Sequence, residues 1–364
     1  MKNELLLEFA RRLMCHPGIA CHEHAVREEV ETICREHRLD YRRDTFGNVL
    51  VTLKTAPQLR PVVLSAHMDH PGFEILKRAR GGDWQARFRG GVPENYFVPG
   101  TRVRLMPGNI GARLGKRLSA ARKAYLLESA RSGALEPAFA VWDLPAFDAR
   151  NKRIYGRACD DLIGVAAILA VMAELRKKKA RVNLLGAITR AEEVGFLGAL
   201  ALAAKRTLPG NALVISLETS RELPGSTMGL GVILRTGDKA SIFDSDATRY
   251  LAEVAAETQK RNQAFQFQRA LMSGGTCEAT AYQEYGYQSA AVCVALGNYH
   301  NCGTDNRIEA EFVNVHDASS MVCLLVNAVR RMGEFSRLVA RLPERLQKLL
   351  AEARDCLPER NRAR

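Results

Sequence analysis

The sequence predicts an α/β fold: a helix-covered, mostly parallel mixed β-sheet (an α/β/α sandwich) with an inserted β-rich domain. Three observations carry that expectation. Apolar runs of strand length, VNLLGAI (182–188) and ALVISL (212–217), alternate with helical segments, the order that lays parallel strands between helices. Residues 162–178 form a helical run that is almost wholly apolar at first, as in a helix buried on every side. From about 73 to 153 the texture changes to short β-like pieces (FEIL, WQARF, TRVRLMP) separated by Gly- and Pro-rich breaks. The expected division is a main domain in two parts, 1–72 and 154–364, around an insert at 73–153.

Each element has a local reason. Helical periodicity over 3–14 and 22–37 is split by the breaker HPGIA. Strand-like runs follow at 48–53 (NVLVTL) and 62–66 (VVLSA), the second leading straight into His67-Met68-Asp69. Within the insert, the basic segment 118–130 reads as a short helix. After it come the helix 162–178, the strand 182–188, a helix over 196–206 and the strand 212–217. A strand at 232–235, a helix at 245–262, a strand at 290–295, a helix at 314–332 and a charged helix at 343–353 complete the pattern. The sequence shows no internal repeat and no low-complexity segment.

Composition narrows the function. A chain of 364 residues with 47 % hydrophobic and 26 % charged residues is ordinary for a globular protein, and no apolar run reaches the length of a membrane span. The N-terminus lacks the pattern of a secretory signal, so the expected compartment is the cytoplasm. Nine cysteines without CxxC pairs suit reduced thiols better than a disulfide framework. The net charge of +13 is spread along the chain, and with only 7 % aromatics a nucleic-acid face is not the favoured reading.

Chemistry concentrates at strand ends and helix starts, the edge where open α/β sheets build their sites. The stretch TRAEEVG (189–195) sets Glu192 and Glu193 side by side after a buried strand. Adjacent residues of an extended segment point opposite ways, so one carboxylate can bind a metal while the other handles protons. His67 with Asp69, Asp160 with Asp161, Glu218 and His300 stand at equivalent places. Imidazoles and carboxylates without a thiolate pattern suit zinc, cobalt or manganese at a reactive site. Five ligands can hold two ions if one carboxylate bridges them. Each residue also has a plainer reading. His67 and Asp69 could form a structural pair, one of the two aspartates could cap the following helix, Glu218 could pair with Arg221, and His300 could be an ordinary loop residue.

The motifs SAHMDHPGF, CDDLIG, RAEEVGFLGA, the GGT at 274–276 and NYHN, in that order, resemble the tetrahedral (TET) and glutamyl aminopeptidases, co-catalytic two-metal metallopeptidases. The resemblance runs from about 66 to 301. It implies a metal-dependent aminopeptidase that hydrolyses N-terminal residues from peptides through a water bridging two metal ions. His67 and Glu218 would bind one metal, Glu193 and His300 the other, and Asp160 would bridge them. Glu192 would be the general base, and Asp69 would hydrogen-bond the His67 imidazole and fix its tautomer. The cofactors implied are two divalent ions per subunit, with zinc first. Parts 1–72 and 154–364 become the catalytic domain, and the insert an oligomerisation domain that builds homodimers and then dodecamers.

The sequence departs from the family pattern at four places: His70 stands where an acid is usual, Leu162 where Arg is usual, Glu218 where Asp is common, and Cys277-Glu278 in place of Asp-Ala. His70 and Glu278 are candidates for lining a specificity pocket, and Cys159 and Cys302 read as buried thiols beside the ligands rather than nucleophiles. Two alternatives stand beside the aminopeptidase: a deacylase or carboxypeptidase with the same metal site, and a non-catalytic or nucleic-acid-binding protein.

Overall fold

Alternation along the central strands decides the layering. Val49, Val51 and Leu53 pack into one apolar cluster and Leu50 into another; Leu64 and Val63 divide in the same way, as do Leu184 with Ile188 and Leu185 with Ala187. A period of two with both faces apolar requires cover on both sides of the sheet. The computed structural model describes residues 4–129 and 136–353.

The chain opens with α1 (Glu4–Met14) and α2 (His24–Glu36), then β1 (Asp40–Arg43), β2 (Val49–Lys54) and β3 (Val62–His67). Six strands follow: β4 (Gly72–Arg78), β5 (Trp84–Arg89), β6 (Arg102–Met106), β7 (Ile110–Ser119), β8 (Ala124–Glu128) and β9 (Phe139–Trp142). Next come β10 (Asp148–Arg150), β11 (Arg153–Gly156), α3 (Cys159–Lys177), β12 (Asn183–Thr189), α4 (Leu197–Ala204) and β13 (Leu213–Arg221). The remainder is β14 (Val232–Gly237), α5 (Ser245–Arg261), β15 (Phe267–Leu271), α6 (Glu278–Glu284), β16 (Gln288–Gly297), β17 (Glu311–Asn314), α7 (Val315–Arg330) and α8 (Phe335–Glu352).

The large sheet runs β1-β2-β12-β3-β13-β16-β17-β11-β10, with β14 branching from β16 and β15 pairing β14. Its centre, β12-β3-β13-β16, is parallel, and antiparallel strands flank it. Helices α1, α3, α5 and α7 share the larger cluster on one face, while α4 and α6 cover the other. Helix α3 is buried almost from end to end, as its apolar composition demands.

Strands β4 to β9 close into a barrel in the order β4-β5-β8-β7-β6-β9, around Phe73, Phe88, Tyr125, Leu127 and Trp142. Strand β11 pairs with β17 and β10 with β11, so both belong to the large sheet. One expectation fails here. The segment 118–130 is not a helix; 110–119 and 124–128 are the two arms of an antiparallel hairpin, and residue 130 lies outside the described residues. Its Ala, Leu and Lys residues favour helix locally, but burial of Tyr125 and Leu127 in the barrel outweighs that preference. The sequence also gave no clear sign of β1, β15, α6 or β17.

Tight packing behind the strand ends holds the chemistry in place. Gly198, in the first turn of α4, donates its N–H to the Arg190 carbonyl at 2.9 Å, and Asn48 accepts from the Arg190 N–H at 3.1 Å. A Cβ at Gly198 would lie 2.5 Å from Asn48 Oδ1 and 2.6 Å from the Arg190 backbone. Gly198→Ala is therefore expected to destabilise the protein by about 1–3 kcal/mol through overpacking. The check is urea unfolding, with a lower midpoint and an unchanged slope.

Candidate metal centre

Four parallel strands deliver their C-terminal ends to one edge, and the functional side chains follow from them. His67 ends β3, Glu192 and Glu193 follow β12, Glu218 lies on β13, and His300 follows β16. Asp160 enters from the start of α3, where Asp160 and Asp161 are non-helical and the regular helix begins at Leu162. The edge therefore gathers all five expected ligands and the expected base.

Both imidazoles are aimed by their outer nitrogens. His67 Nδ1 donates to the Asp69 carbonyl at 3.0 Å, and His300 Nδ1 donates to the Gly91 carbonyl, in the loop after β5, at 2.7 Å. With those protons fixed, each Nε2 faces inward. His67 Nε2 lies 3.4 Å from Asp160 Oδ1 and 3.8 Å from Glu192 Oε2; His300 Nε2 lies 3.6 Å from Asp160 Oδ2 and 3.3 Å from Glu193 Oε1. Asp160 thus offers one oxygen to each side. Two groups each bring their donor atoms within 4.8 Å of one another: His67, Glu192 and Glu218, and Asp160, Glu193 and His300.

The electrostatics ask for cations. Asp160 Oδ1, Glu193 Oε1 and Glu218 Oε1 are buried with no hydrogen-bond partner among the described residues. An uncompensated buried carboxylate is expensive, so such oxygens are ordinarily neutralised or metal-bound. Burial raises the Glu192 carboxyl well above its usual range, with Glu218, Glu193 and Asp69 adding to it, and burial pushes Glu218 up to about 8. Burial also opposes charge on His67 and His300, yet the facing carboxylates, Glu192 and Asp160 for the first and Glu193 and Asp160 for the second, raise both imidazoles well above the ordinary histidine range. Glu192, Glu218, His67 and His300 thus lean toward extra positive charge at this spot, whereas Asp160, against its burial, is held well below the usual carboxylate range by the His300 and His67 imidazoles. The donor set of imidazole nitrogens and carboxylate oxygens fits zinc, cobalt or manganese.

Asp69 acts differently from the expectation. Its main-chain oxygen, not its carboxylate, holds the imidazole; Asp69 Oδ1 stands 3.7 Å from His67 Nδ1. The carboxylate accepts the N–H of Glu192 at 2.9 Å and of Glu193 at 3.1 Å, fixing the turn that carries both glutamates. That turn needs fixing because Ala191 has φ +55°, a left-handed conformation that costs a non-glycine residue about 1–3 kcal/mol. Glu23 adds a second anchor, accepting from Ala191 N at 3.1 Å and from Arg190 Nε at 2.8 Å.

Two candidate pocket residues lie elsewhere. His70 is buried and spans the Asp160 carbonyl (3.0 Å) and Asn301 Oδ1 (2.9 Å). Glu278 is buried beneath the strands, taking hydrogen bonds from Ser65 (2.7 Å) and Thr189 (2.5 Å). Neither lines the cavity. Asp161 caps the turn into α3, accepting the Gly164 N–H at 3.2 Å. Cys159 is buried and Cys302 half-buried; burial raises both thiols, which disfavours the nucleophilic thiolate.

A cavity of about 220 Å³ opens onto the cluster. Its lining includes Ser220, Arg221, Leu223, Arg235 and Met272. Sequence reading missed Arg235 and also Glu311, whose carboxylate lies behind Asp160 and His300. Arg235 had a signal, a lone cation inside the apolar strand VILRTG; Glu311 had none.

A helix-covered sheet with paired imidazoles and shared carboxylates at its strand ends, opening onto a cavity, marks a metal-dependent peptide hydrolase. The chain belongs to the M42 glutamyl aminopeptidase family, which it matches over residues 128–322, just over half its length. A putative aminopeptidase of Acetivibrio thermocellus is 24 % identical over 348 residues, covering 90 % of this chain and all of that one. The fold is shared with the TET1 peptidase of Pyrococcus horikoshii, which can assemble into a tetrahedron or a large octahedral shell (TM-score 0.74, 22 % identity, 89 % of this chain and 99 % of that one). It is shared equally with an aminopeptidase of the archaeon Desulfurococcus kamchatkensis (TM-score 0.75, 20 % identity, 93 % and 98 %). Among the described residues, no helix is long and apolar enough to cross a membrane.

Because Asp69 offers one carboxylate oxygen to each of two N–H groups, an amide there can satisfy only one. Asp69→Asn is expected to weaken metal binding about 10–100-fold, the usual loss when a ligand's support is removed. Competition against a chromophoric chelator measures it.

Proposed function

We propose that this peptide hydrolase is an aminopeptidase working through two divalent ions, zinc before cobalt or manganese. His67 and Glu218 would hold one ion, Glu193 and His300 the other, and Asp160 would contribute to both. The observation that carries this reading is the placement of the two Asp160 oxygens at 3.4 and 3.6 Å from the inward nitrogens of His67 and His300. When bound, the ions supply Lewis acidity to the scissile carbonyl and to the attacking water.

The chain's own groups do the rest. Glu192 lines the cavity and sits 3.8 Å from His67, within reach of the space between the imidazoles. Its raised proton affinity suits a group that takes a proton from the attacking water and passes it to the departing amine nitrogen as the C–N bond breaks. Peptide bond and water are consumed, and carboxylate and amine leave, with Glu192 returned to its starting state.

Arg235 supports a preference for an acidic first residue. It is 3 % exposed, lines the cavity, and donates from Nη1 to Ser220 Oγ at 3.1 Å, while its Nε has no hydrogen-bond partner among the described residues. Burial works against its charge, but the carboxylates Glu218 and Asp238 are among the neighbours that favour it, and a guanidinium keeps its proton in proteins. A guanidinium held dry in a cavity wall is a good receptor for a substrate carboxylate. The family's glutamyl designation agrees with this reading. Assembly into homo-oligomers is supported by the TET relatives, with the barrel as the contact domain. A monomer in light scattering would overturn that part.

Glutamic acid at position 192 is tested by exchange. Glu192→Gln should retain metal and lose about 10²–10⁴ in kcat, whereas Glu193→Gln should lose metal first. Equal metal loss in both variants overturns the division of roles. Peptides with a free N-terminus should be cleaved and their N-acetylated forms spared; the reverse preference would favour a deacylase. Arg235→Met should raise KM for glutamyl anilide by at least tenfold while changing leucyl anilide little, since a charge-assisted pair contributes about 1.5–3 kcal/mol.

A further inference from the structure

Glu311 is a fully buried carboxylate with no assigned task. One of its oxygens accepts the N–H of Asp160 at 3.0 Å, the other the N–H of His300 at 2.9 Å. We propose that Glu311 is a positioning residue that sets Asp160 and His300 at the separation one metal ion requires. The proposal rests on the two-metal reading above and adds to it the device that fixes one half of the site.

The backbone around both targets explains why a clamp is needed there. Asp160 has ψ 109° at the mouth of α3, and His300 has φ +54° in a left-handed stretch with Asn298 and Asn301. Neither N–H can enter a regular helix or ladder, and a buried N–H without an acceptor is costly. Strand β17 brings the acceptor to both. Glu311 pairs with Gly156 of β11, four residues before Asp160, while Phe312 and Val313 pair with the end of β16, just before His300. One side chain therefore ties together two loops that are remote in sequence.

The chemistry selects a carboxylate. Each oxygen must accept, and a glutamine would accept at one while turning its NH₂ group against the other N–H. No Lys or Arg ion pair to Glu311 occurs among the described residues, so backbone donors are its main compensation. Asp69 uses the same two-oxygen grip on Glu192 and Glu193 across the site. Within the half formed by Asp160, Glu193 and His300, Asp69 thus holds Glu193, while Glu311 holds the other two members, Asp160 and His300.

The test is stepwise zinc titration of metal-free full-length protein, by calorimetry and chelator competition, for wild type, Glu311→Gln and His300→Ala. The expected result is two binding steps in wild type. In Glu311→Gln one step should remain within threefold, and the other should weaken about 10–100-fold. The weakened step should be the one that His300→Ala removes. Thermal unfolding of the metal-free proteins accompanies it, because a purely structural residue would lower the midpoint and weaken both steps alike. Two unchanged steps in Glu311→Gln, or equal weakening of both, would overturn the proposal while leaving the two-metal site standing. A wild-type protein that binds no zinc would remove the site and the proposal together.

Discussion

The structure depends on a dense group of carboxylates kept out of water. Asp160, Glu192, Glu193 and Glu218 all border one cavity, and three of them hold buried oxygens without hydrogen-bond partners among the described residues. Left alone, that concentration of like charge in a poorly solvated space would be strongly unfavourable. Four carboxylates sum to −4 and two dications to +4, so a pair of divalent ions would bring the group to formal neutrality. Without that compensation, burial and mutual repulsion would drive protons onto the carboxylates, as the raised affinities of Glu192 and Glu218 record.

Holding such groups at fixed separations requires a rigid frame and some departures from it. The frame is the parallel centre of the sheet, whose strands deliver His67 and Glu218 on regular backbone. The departures are where the chain leaves the strands. Ala191, Asn298, His300 and Asn301 all take left-handed backbone, and each such residue costs free energy that neighbouring contacts must offset. The offsets are specific. Glu23 and Asp69 hold the turn after β12, while Glu311 and His70 hold the entry to α3 and the turn after β16. Irregular backbone and buried acceptors therefore come as a set, and they concentrate at the metal centre.

This division explains what the sequence could disclose. The candidate ligands are legible because they sit at strand ends or a helix start that themselves read clearly, and because histidines and paired acids are conspicuous beside apolar runs. The alternation in NVLVTL, VVLSA and VNLLGAI likewise displayed the sheet. The supports were not legible. Glu311 opens a four-residue strand with no apolar pattern, and its partners are N–H groups that carry no sequence signature. Asp69 is conspicuous two residues after His67, but which of its oxygens faces the ring depends on a backbone path that spacing does not encode. In the barrel, 118–130 contains good helix formers, and only the cross-strand pairing of Arg117 with Tyr125 and the burial of Leu127 show why it is a hairpin.

Charge balance finally links the metal centre to substrate choice. With two ions bound, the four carboxylates would be near neutrality and Arg221 and Arg235 would leave the cavity wall with surplus positive charge; the buried Arg235 has an Nε without a hydrogen-bond partner among the described residues. Glu218 lies between the two regimes: close enough to Arg235 to favour its charge, yet offering a bare oxygen toward His67. An acidic substrate side chain would reduce that imbalance, whereas an apolar one would leave the Arg235 Nε dry and unmatched. A site that rejects the wrong ligand by stranding its own buried donor discriminates more strongly than one relying on apolar fit. The same physical rule, that a buried polar group must be matched, accounts for the turns that hold the candidate ligands and would extend to the metals and to the residue removed under the proposed function.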